Sequence, residues 1–275
     1  MVDHAEQAER ARRFLELHHG ERPLLLPNPW DQGSARLLAS LGFQALATTS
    51  SGHAATLGRL DGSVTREEAL AHAELIAATT ELPVSADLEN CFAHEPEGVA
   101  DTLRLALRAG LAGCSVEDYS GRADDPIYDA GLAAERVAAA AEAAHGGPVH
   151  LVLTARAENY LHGREDLADT IARLQAYQEA GADVLYAPGL SGLEDIRQVV
   201  ASVGRPVNVL ALPRAPSISE LAAIGVARVS VGGAFAFAAL GAVVEAAREL
   251  QTEGTYSFWQ RAGTGRKAAG SAFGE

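Results

Sequence analysis

Short apolar runs and longer amphipathic stretches alternate eight times along this chain. The runs at 24–26, 45–50, 83–89, 113–118, 149–156, 183–187, 206–211 and 228–231 are short and rich in Val, Leu and Ala. That is how strands of a parallel sheet covered by helices read. The stretches between them, at 34–41, 65–79, 96–109, 164–180, 193–203 and 218–224, repeat apolar positions at helical spacing. Two further helices are alanine-rich, one ending near His145 and one running to Leu250. Gly181, Gly204 and Gly225 stop their helices, and Pro96 suits a first helical turn. Eight such units at this length predict an α/β fold, a closed (β/α)8 TIM barrel. An open doubly wound sheet would normally show a glycine-rich turn after its first strand, and Leu26-Pro27-Asn28-Pro29 is not one. Residues 3–19 pattern as an amphipathic helix before the barrel. The expected organisation is an N-terminal helix (1–20), a catalytic barrel (21–250) and a glycine-containing tail (251–275), helical, loose or docked on a partner.

Composition narrows the function classes. The chain has 275 residues, 48% of them apolar, enough for a sizeable core, and a net charge of −14. The acidic balance argues against nucleic acid or an anionic membrane as partner. No apolar run approaches a membrane span and the N-terminus lacks a signal-peptide core, so a cytoplasmic protein is expected. Cys91 and Cys114 give neither a disulfide framework nor a metal-binding spacing. The single lysine, Lys267, lies in the tail, which excludes Schiff-base chemistry of the kind that needs a desolvated lysine.

The active site of such a barrel lies at the C-terminal ends of its strands. Polar residues collect there: Trp30 and Asp31 after strand one, Ser50, Ser51, Gly52 and His53 after strand two, Asp87 and Glu89 on strand three. Glu117 and Asp118 end strand four, Arg156 and Glu158 end strand five, and Asn208 lies on strand seven. Period-two alternation puts Ser85, Asp87 and Glu89 on one face, Ser115 with Glu117, and Thr154 with Arg156 and Glu158. Neighbouring carboxylates repel unless a cation lies among them, and hard oxygen donors suit Mg2+ or Mn2+. Plainer roles compete: Asp31 as a helix cap, Ser50-Ser51-Gly52 as a turn, Glu117 with Arg156 as a structural ion pair. Ser51 and Gly52 could also offer backbone N–H groups to an anion. Acidic groups from adjacent strands around one arginine favour a site.

At these residues the chain resembles the phosphoenolpyruvate mutase/isocitrate lyase superfamily over roughly residues 22 to 250. The matching segments are Asn28 to Asp31, Thr49 to Gly58 with Asp61-Gly62, Ser85 to Glu89, Val116 to Asp118, Thr154 to Arg156, Pro206 to Val209 and Arg228 to Gly233. The resemblance implies a Mg2+-dependent barrel that forms homo-oligomers, its last helix exchanged between neighbours. It further implies Asp87 as direct metal ligand, with Asp61, Glu89 and Glu117 holding the metal's waters. Ser51 and Gly52 would bind the substrate carboxylate, Arg156 would stabilise an enolate oxygen, and Asn208 would contact the variable end of the substrate. Trp30, Asp31 and His53 fall in the same segments and join the substrate-binding candidates.

The Lys-Lys-Cys-Gly-His loop of isocitrate and methylisocitrate lyases is absent, and so are the loop lysine and asparagine of the mutase and phosphonopyruvate hydrolase branch. What fits best is a lyase acting on a small α-keto or α-hydroxy diacid through an enolate, of the oxaloacetate decarboxylase type. A P–C bond mutase or hydrolase, with Arg122 or His94 replacing the loop residues, is the alternative, and a keto-acid-binding barrel without catalysis is a second.

Overall fold

A computed structural model describes residues 4–274. The expected alternation is realised in order: α1 (His4–Leu17), β1 (Leu24–Leu26), α2 (Gln32–Ser40), β2 (Leu46–Ala47), α3 (Ser50–Thr56), α4 (Arg66–Ala77), β3 (Val84–Asp87) and α5 (Pro96–Arg108). There follow β4 (Gly113–Glu117), α6 (Ala130–His145), β5 (Val152–Arg156), α7 (Leu167–Glu179), β6 (Val184–Tyr186) and α8 (Leu193–Ser202). The chain continues through β7 (Val207–Leu210), α9 (Ile218–Ala223), β8 (Arg228–Ser230), α10 (Ala234–Thr252) and α11 (Trp259–Phe273).

The eight strands are parallel and run in the order β1-β8-β7-β6-β5-β4-β3-β2. The seam between β1 and β2 closes just beyond the strands, where the Ala47 N–H donates to the Pro27 carbonyl at 3.1 Å. Buried Asn28 ties the end of β1 to both of its neighbours, β2 and β8. Its Nδ2 donates to the Thr48 carbonyl (2.9 Å), and its Oδ1 accepts from the N–H groups of Val231 (3.0 Å) and Gly232 (2.9 Å). The result is a (β/α)8 barrel.

Strand alternation sorts the core into two layers. Val84, Ala86, Cys114, Val116, Leu153, Ala155, Leu185, Val207, Val209 and Val229 face outward into the helices and form the main apolar cluster. The inward positions near the strand starts, with Leu24, Ala45, Ala112, Val152 and Val184, pack on Phe14 and Ala11 of α1. Phe14 is fully buried, and α1 thereby plugs the N-terminal end of the barrel. Gly113 makes room for it: a Cβ there would lie 2.8 Å from both the Phe14 ring and the Val152 carbonyl oxygen. Gln7 fastens the plug through hydrogen bonds to the carbonyls of Leu107 (2.8 Å) and Leu111 (2.9 Å).

Two strands stop more than one residue short of the sequence expectation, β3 at Asp87 rather than Glu89 and β2 at Ala47 rather than Ser50. The predicted strand 45–50 is cut to two residues because the Thr49 hydroxyl caps a helix, α3, accepting from the Gly52 N–H. The tail contains the fifteen-residue α11, which lies against α2. Helix α10 buries only Ala236 and leaves Phe235, Phe237, Leu240, Val243, Val244 and Leu250 exposed.

Candidate active site

The inward side chains at the C-terminal ends of the strands meet in a cavity of about 200 Å3, lined among others by Ser50, Ser51, Asp61, Asp87, Arg156 and Asn208. At its centre, the Arg156 guanidinium is shared by three carboxylates. Nη1 donates to Asp87 Oδ1 at 2.9 Å, Nη2 faces Glu117 Oε2 at 3.1 Å, and Nε donates to Glu158 Oε1 at 2.8 Å. The flat fork of arginine allows this, since each N–H points in a fixed and different direction. The register supplies the rest: Glu117 is paired with Arg156 across β4 and β5, and Arg156 with Tyr186 across β5 and β6. The Tyr186 ring lies 5.3 Å from the guanidinium carbon.

Asp87 is held from two further sides. Its backbone N–H donates to Thr48 Oγ1 (2.9 Å), and its Oδ2 accepts from the Ser50 N–H (3.1 Å). Beyond it the chain turns sharply: Glu89, Cys91 and Phe92 all sit at positive φ, 50°, 59° and 56°. Non-glycine residues adopt that conformation at a cost of about 1–3 kcal/mol each, so the surroundings must over-determine it. Buried Arg136 of α6 does so, donating to the carbonyls of Asn90 (2.7 Å), Ala93 and His94 (2.7 Å).

The carboxylates are crowded. Burial, then the charges of Asp87 and Asp61, push the Glu89 carboxyl up to about 7. Partial desolvation raises Asp61, with Asp87 adding to it. Glu117 stands well above the ordinary carboxylate range and Glu158 above it, because burial outweighs the attraction of Arg156. One guanidinium thus faces more negative charge than it can neutralise. Oxygen donors of this kind suit a divalent cation, and Asp61, Asp87, Glu89 and Glu117 are carboxylates whose charges bear on one another here.

The other residues singled out in the sequence are placed as follows. Asp31 caps α2, accepting from the Ser34 N–H at 2.6 Å in a reciprocal capping box. The Trp30 carbonyl receives His72 Nε2 at 3.0 Å, and the His53 ring stacks on His72 at 3.8 Å. Gly52 is buried beneath the cavity wall, where a Cβ would lie 2.6 Å from Thr49 Cγ2. Trp30, Asp31, Gly52 and His53 therefore adjoin the cavity lining rather than form it. Asn208 lines the cavity with its amide held at both ends: Oδ1 accepts from Arg228 Nε (2.8 Å) and Nδ2 donates to Ser230 Oγ (3.0 Å).

Asp118, beside Glu117, has a structural task. Its oxygens accept from the Glu158 N–H (2.7 Å), Arg173 (3.1 Å) and the Tyr177 hydroxyl (2.6 Å), which fixes the backbone that carries Glu158. Cys91 is buried, with its thiol pushed up to about 12 by burial, so it is inert. Arg122 is exposed and paired with Asp124 at 3.0 Å, and His94 hydrogen-bonds to Tyr128; neither lines the cavity. Lys267 is exposed on α11. Sequence reasoning missed Tyr186, Arg136 and Arg228. A charged residue in an apolar strand was the available signal for Arg228.

A second group with metal-ligating side chains lies at the opposite end of the barrel, where His145 and His150 flank Asp183. Their Nε2 atoms stand 3.0 and 3.1 Å from its two oxygens, and the Leu153 N–H donates to the same carboxylate. The imidazoles stack face to face at 4.0 Å, so they approach side by side as hydrogen-bonding partners of one carboxylate.

Proteins similar to this chain carry the assignment further. A provisionally assigned lyase/mutase of Burkholderia cenocepacia superposes with a TM-score of 0.91 at 53% identity, over 93% of this chain and 92% of its own. An uncharacterised protein of Mycobacterium tuberculosis is 34% identical over 86% of this chain and 88% of its own length. The oxaloacetate decarboxylase 1 of Pseudomonas putida is 27% identical over 80% of this chain and 77% of its own length. The sequence model of the phosphoenolpyruvate phosphomutase family matches residues 14–251. The chain therefore belongs to the phosphoenolpyruvate mutase family, within the phosphoenolpyruvate mutase/isocitrate lyase superfamily of lyases and mutases.

Proposed function

We propose that this protein is a Mg2+-dependent lyase that cleaves a C–C bond in a small α-keto or α-hydroxy diacid through an enolate, of the oxaloacetate decarboxylase type. The observation that carries the reading is the crowd of carboxylates around one arginine in a cavity sized for a small acid. Asp87 is the direct ligand in this reading, and Asp61, Glu89 and Glu117 hold the metal's waters. Bound Mg2+ (or Mn2+) would polarise the carboxylate and keto oxygens of the substrate.

Arg156 supplies a fixed positive charge beside the oxygen on which negative charge grows, and it needs no reorganisation because three carboxylates already aim it. In decarboxylation the electron pair of the breaking C–C bond moves toward the keto carbon and its oxygen. Carbon dioxide leaves, and the carbon that carried it later takes up a proton as the enolate collapses to the keto acid. The cleavage itself needs no protein acid. This agrees with an inert Cys91, an exposed Lys267 and a cavity lining that includes neither Arg122 nor His94. Those same residues give the P–C bond alternative no group to replace its missing loop.

The exposed apolar face of α10 supports a homo-oligomer, which light scattering after gel filtration would test. Among the described residues no helix is long and apolar enough to cross a membrane.

The test is pyruvate release from oxaloacetate, phosphonopyruvate, 2-methylisocitrate and dimethylmalate, with Mg2+ and with chelator. Metal-dependent release from oxaloacetate is expected. Release from phosphonopyruvate alone, or its isomerisation to phosphoenolpyruvate without release, would replace this reading with the P–C one. Silence with every acid, together with tight oxalate binding, would replace it with the binding barrel.

A further inference from the structure

Below the carboxylate cluster, the same cavity is lined by a second arginine, Arg228, on the inward face of β8. Only 4% of it is exposed, and its surroundings differ from those of Arg156. Nε donates to Asn208 Oδ1 (2.8 Å), Nη2 to Thr154 Oγ1 (3.1 Å), and Nη1 lies 3.1 Å from His18 Nε2. His18 Nδ1 stands 2.8 Å from the Phe14 carbonyl, so its hydrogen belongs on Nδ1 and Nε2 accepts from the arginine. All three partners are neutral. Among the described residues no carboxylate lies within ion-pair distance of Arg228, whereas three do so for Arg156.

A buried guanidinium without a counter-charge costs several kcal/mol of desolvation that neutral hydrogen bonds only partly return. Burial, with Arg156 adding to it, pulls Arg228 down to about 10. Arg136 is also buried without a carboxylate, but it lies outside the cavity and is occupied by three backbone carbonyls. Arg228 engages three of its five N–H groups with the barrel wall and borders the space where a ligand would sit. A floor residue with a purely structural task would be cheaper if apolar, as Leu26 is on the neighbouring strand.

We propose that Arg228 is a specificity-determining residue that receives the second anionic group of the substrate, so that the site selects doubly charged α-oxyacids over singly charged ones. This rests on the reading that the carboxylates above it hold a metal-chelating oxyacid. Asn208 then acts as a positioning residue, because its Oδ1 sets the direction of the guanidinium.

Calorimetry on the Mg2+-loaded protein tests this with three small-acid probes. Oxalate needs only the metal end of the site, lactate offers one charge, and malate offers a second carboxylate. The wild-type protein should bind malate at least about tenfold more tightly than lactate, the scale of one desolvated charge-assisted contact. Arg228→Gln should abolish that preference and leave oxalate affinity within about twofold, whereas Arg228→Lys, which keeps the charge, should retain part of it. If the variants do not fold, the wild-type ratio still decides. Equal affinity for malate and lactate overturns the proposal, as does an equal loss of both in Arg228→Gln. Failure of wild type to bind oxalate would overturn the metal-site reading and this proposal with it. Oxalate binding without a malate preference overturns Arg228 alone.

Discussion

Replacing Asp87 by asparagine separates metal binding from folding. The asparagine keeps one acceptor oxygen, for Arg156 or for the Ser50 N–H, which now meet different carboxylate oxygens at 2.9 and 3.1 Å, and loses the other hydrogen bond. Arg156 retains Glu117 and Glu158, so no buried charge is orphaned, and the repulsion that raises Glu89 is relieved. Gains and losses oppose each other, and the metal-free stability should change by no more than about 1.5 kcal/mol, the size of one hydrogen-bond term. The response to metal should change much more. At a Mg2+ concentration of about 100 Kd, wild type gains roughly 2.7 kcal/mol from binding. For a domain of this size that raises the melting temperature by roughly 5–10 °C. Asp87→Asn should lose nearly all of that shift, and Asp87→Ala should abolish metal-dependent turnover. Differential scanning fluorimetry across a Mg2+ titration, with chelator as baseline, reads the shift. An Asp87→Asn protein that melts as wild type does without metal, yet shows the full upward shift, would falsify the assignment of Asp87 as ligand.

Three further predictions follow from packing and protonation. Gly52→Ala should cost about 1–3 kcal/mol, because its Cβ would press on Thr49 Cγ2 at 2.6 Å, and should weaken oxalate binding by displacing Ser50 and Ser51; unchanged calorimetry would refute it. Gly113→Ala should cost a similar amount, about 1–3 kcal/mol, by driving Phe14 from its seat, with the loss read from urea midpoints. His18 is held down to about 3, chiefly by burial and then by Arg228, so the unfolded chain takes up its proton first as pH falls below 6.5. Stability should therefore drop by up to about 1.4 kcal/mol per pH unit between 6.5 and 3, and His18→Gln should flatten that part of the urea-midpoint profile.

Much of this protein is legible in its sequence because the governing rules are local. Period-two alternation already places Asp87, Glu117, Thr154 and Arg156 on the inward faces of their strands, and eight repeats at this length imply closure. The same local rules identify Cys91 and the lone Lys267 as unsuited to covalent chemistry. What alternation cannot give is the angle between faces. Whether Asp87, Glu117 and Glu158 share one guanidinium depends on the stagger between β3, β4 and β5, which is set by pairing across the barrel. The short α3 was hidden because a polar run such as Thr49-Ser50-Ser51-Gly52 suits a turn or a capped helix equally, and only packing against Gly233 and Ala236 decides. Arg136 reads as a solvated charge on an alanine-rich helix, yet it lies inside, against the carbonyls of a loop some forty residues earlier. Arg228 is the clearest case. The sequence alone determined that a charge sits in an apolar strand. Only the tertiary structure decided that no carboxylate among the described residues would meet it, because the partners of a buried ion come from segments distant in the chain, here Thr154 on β5 and His18 beyond α1.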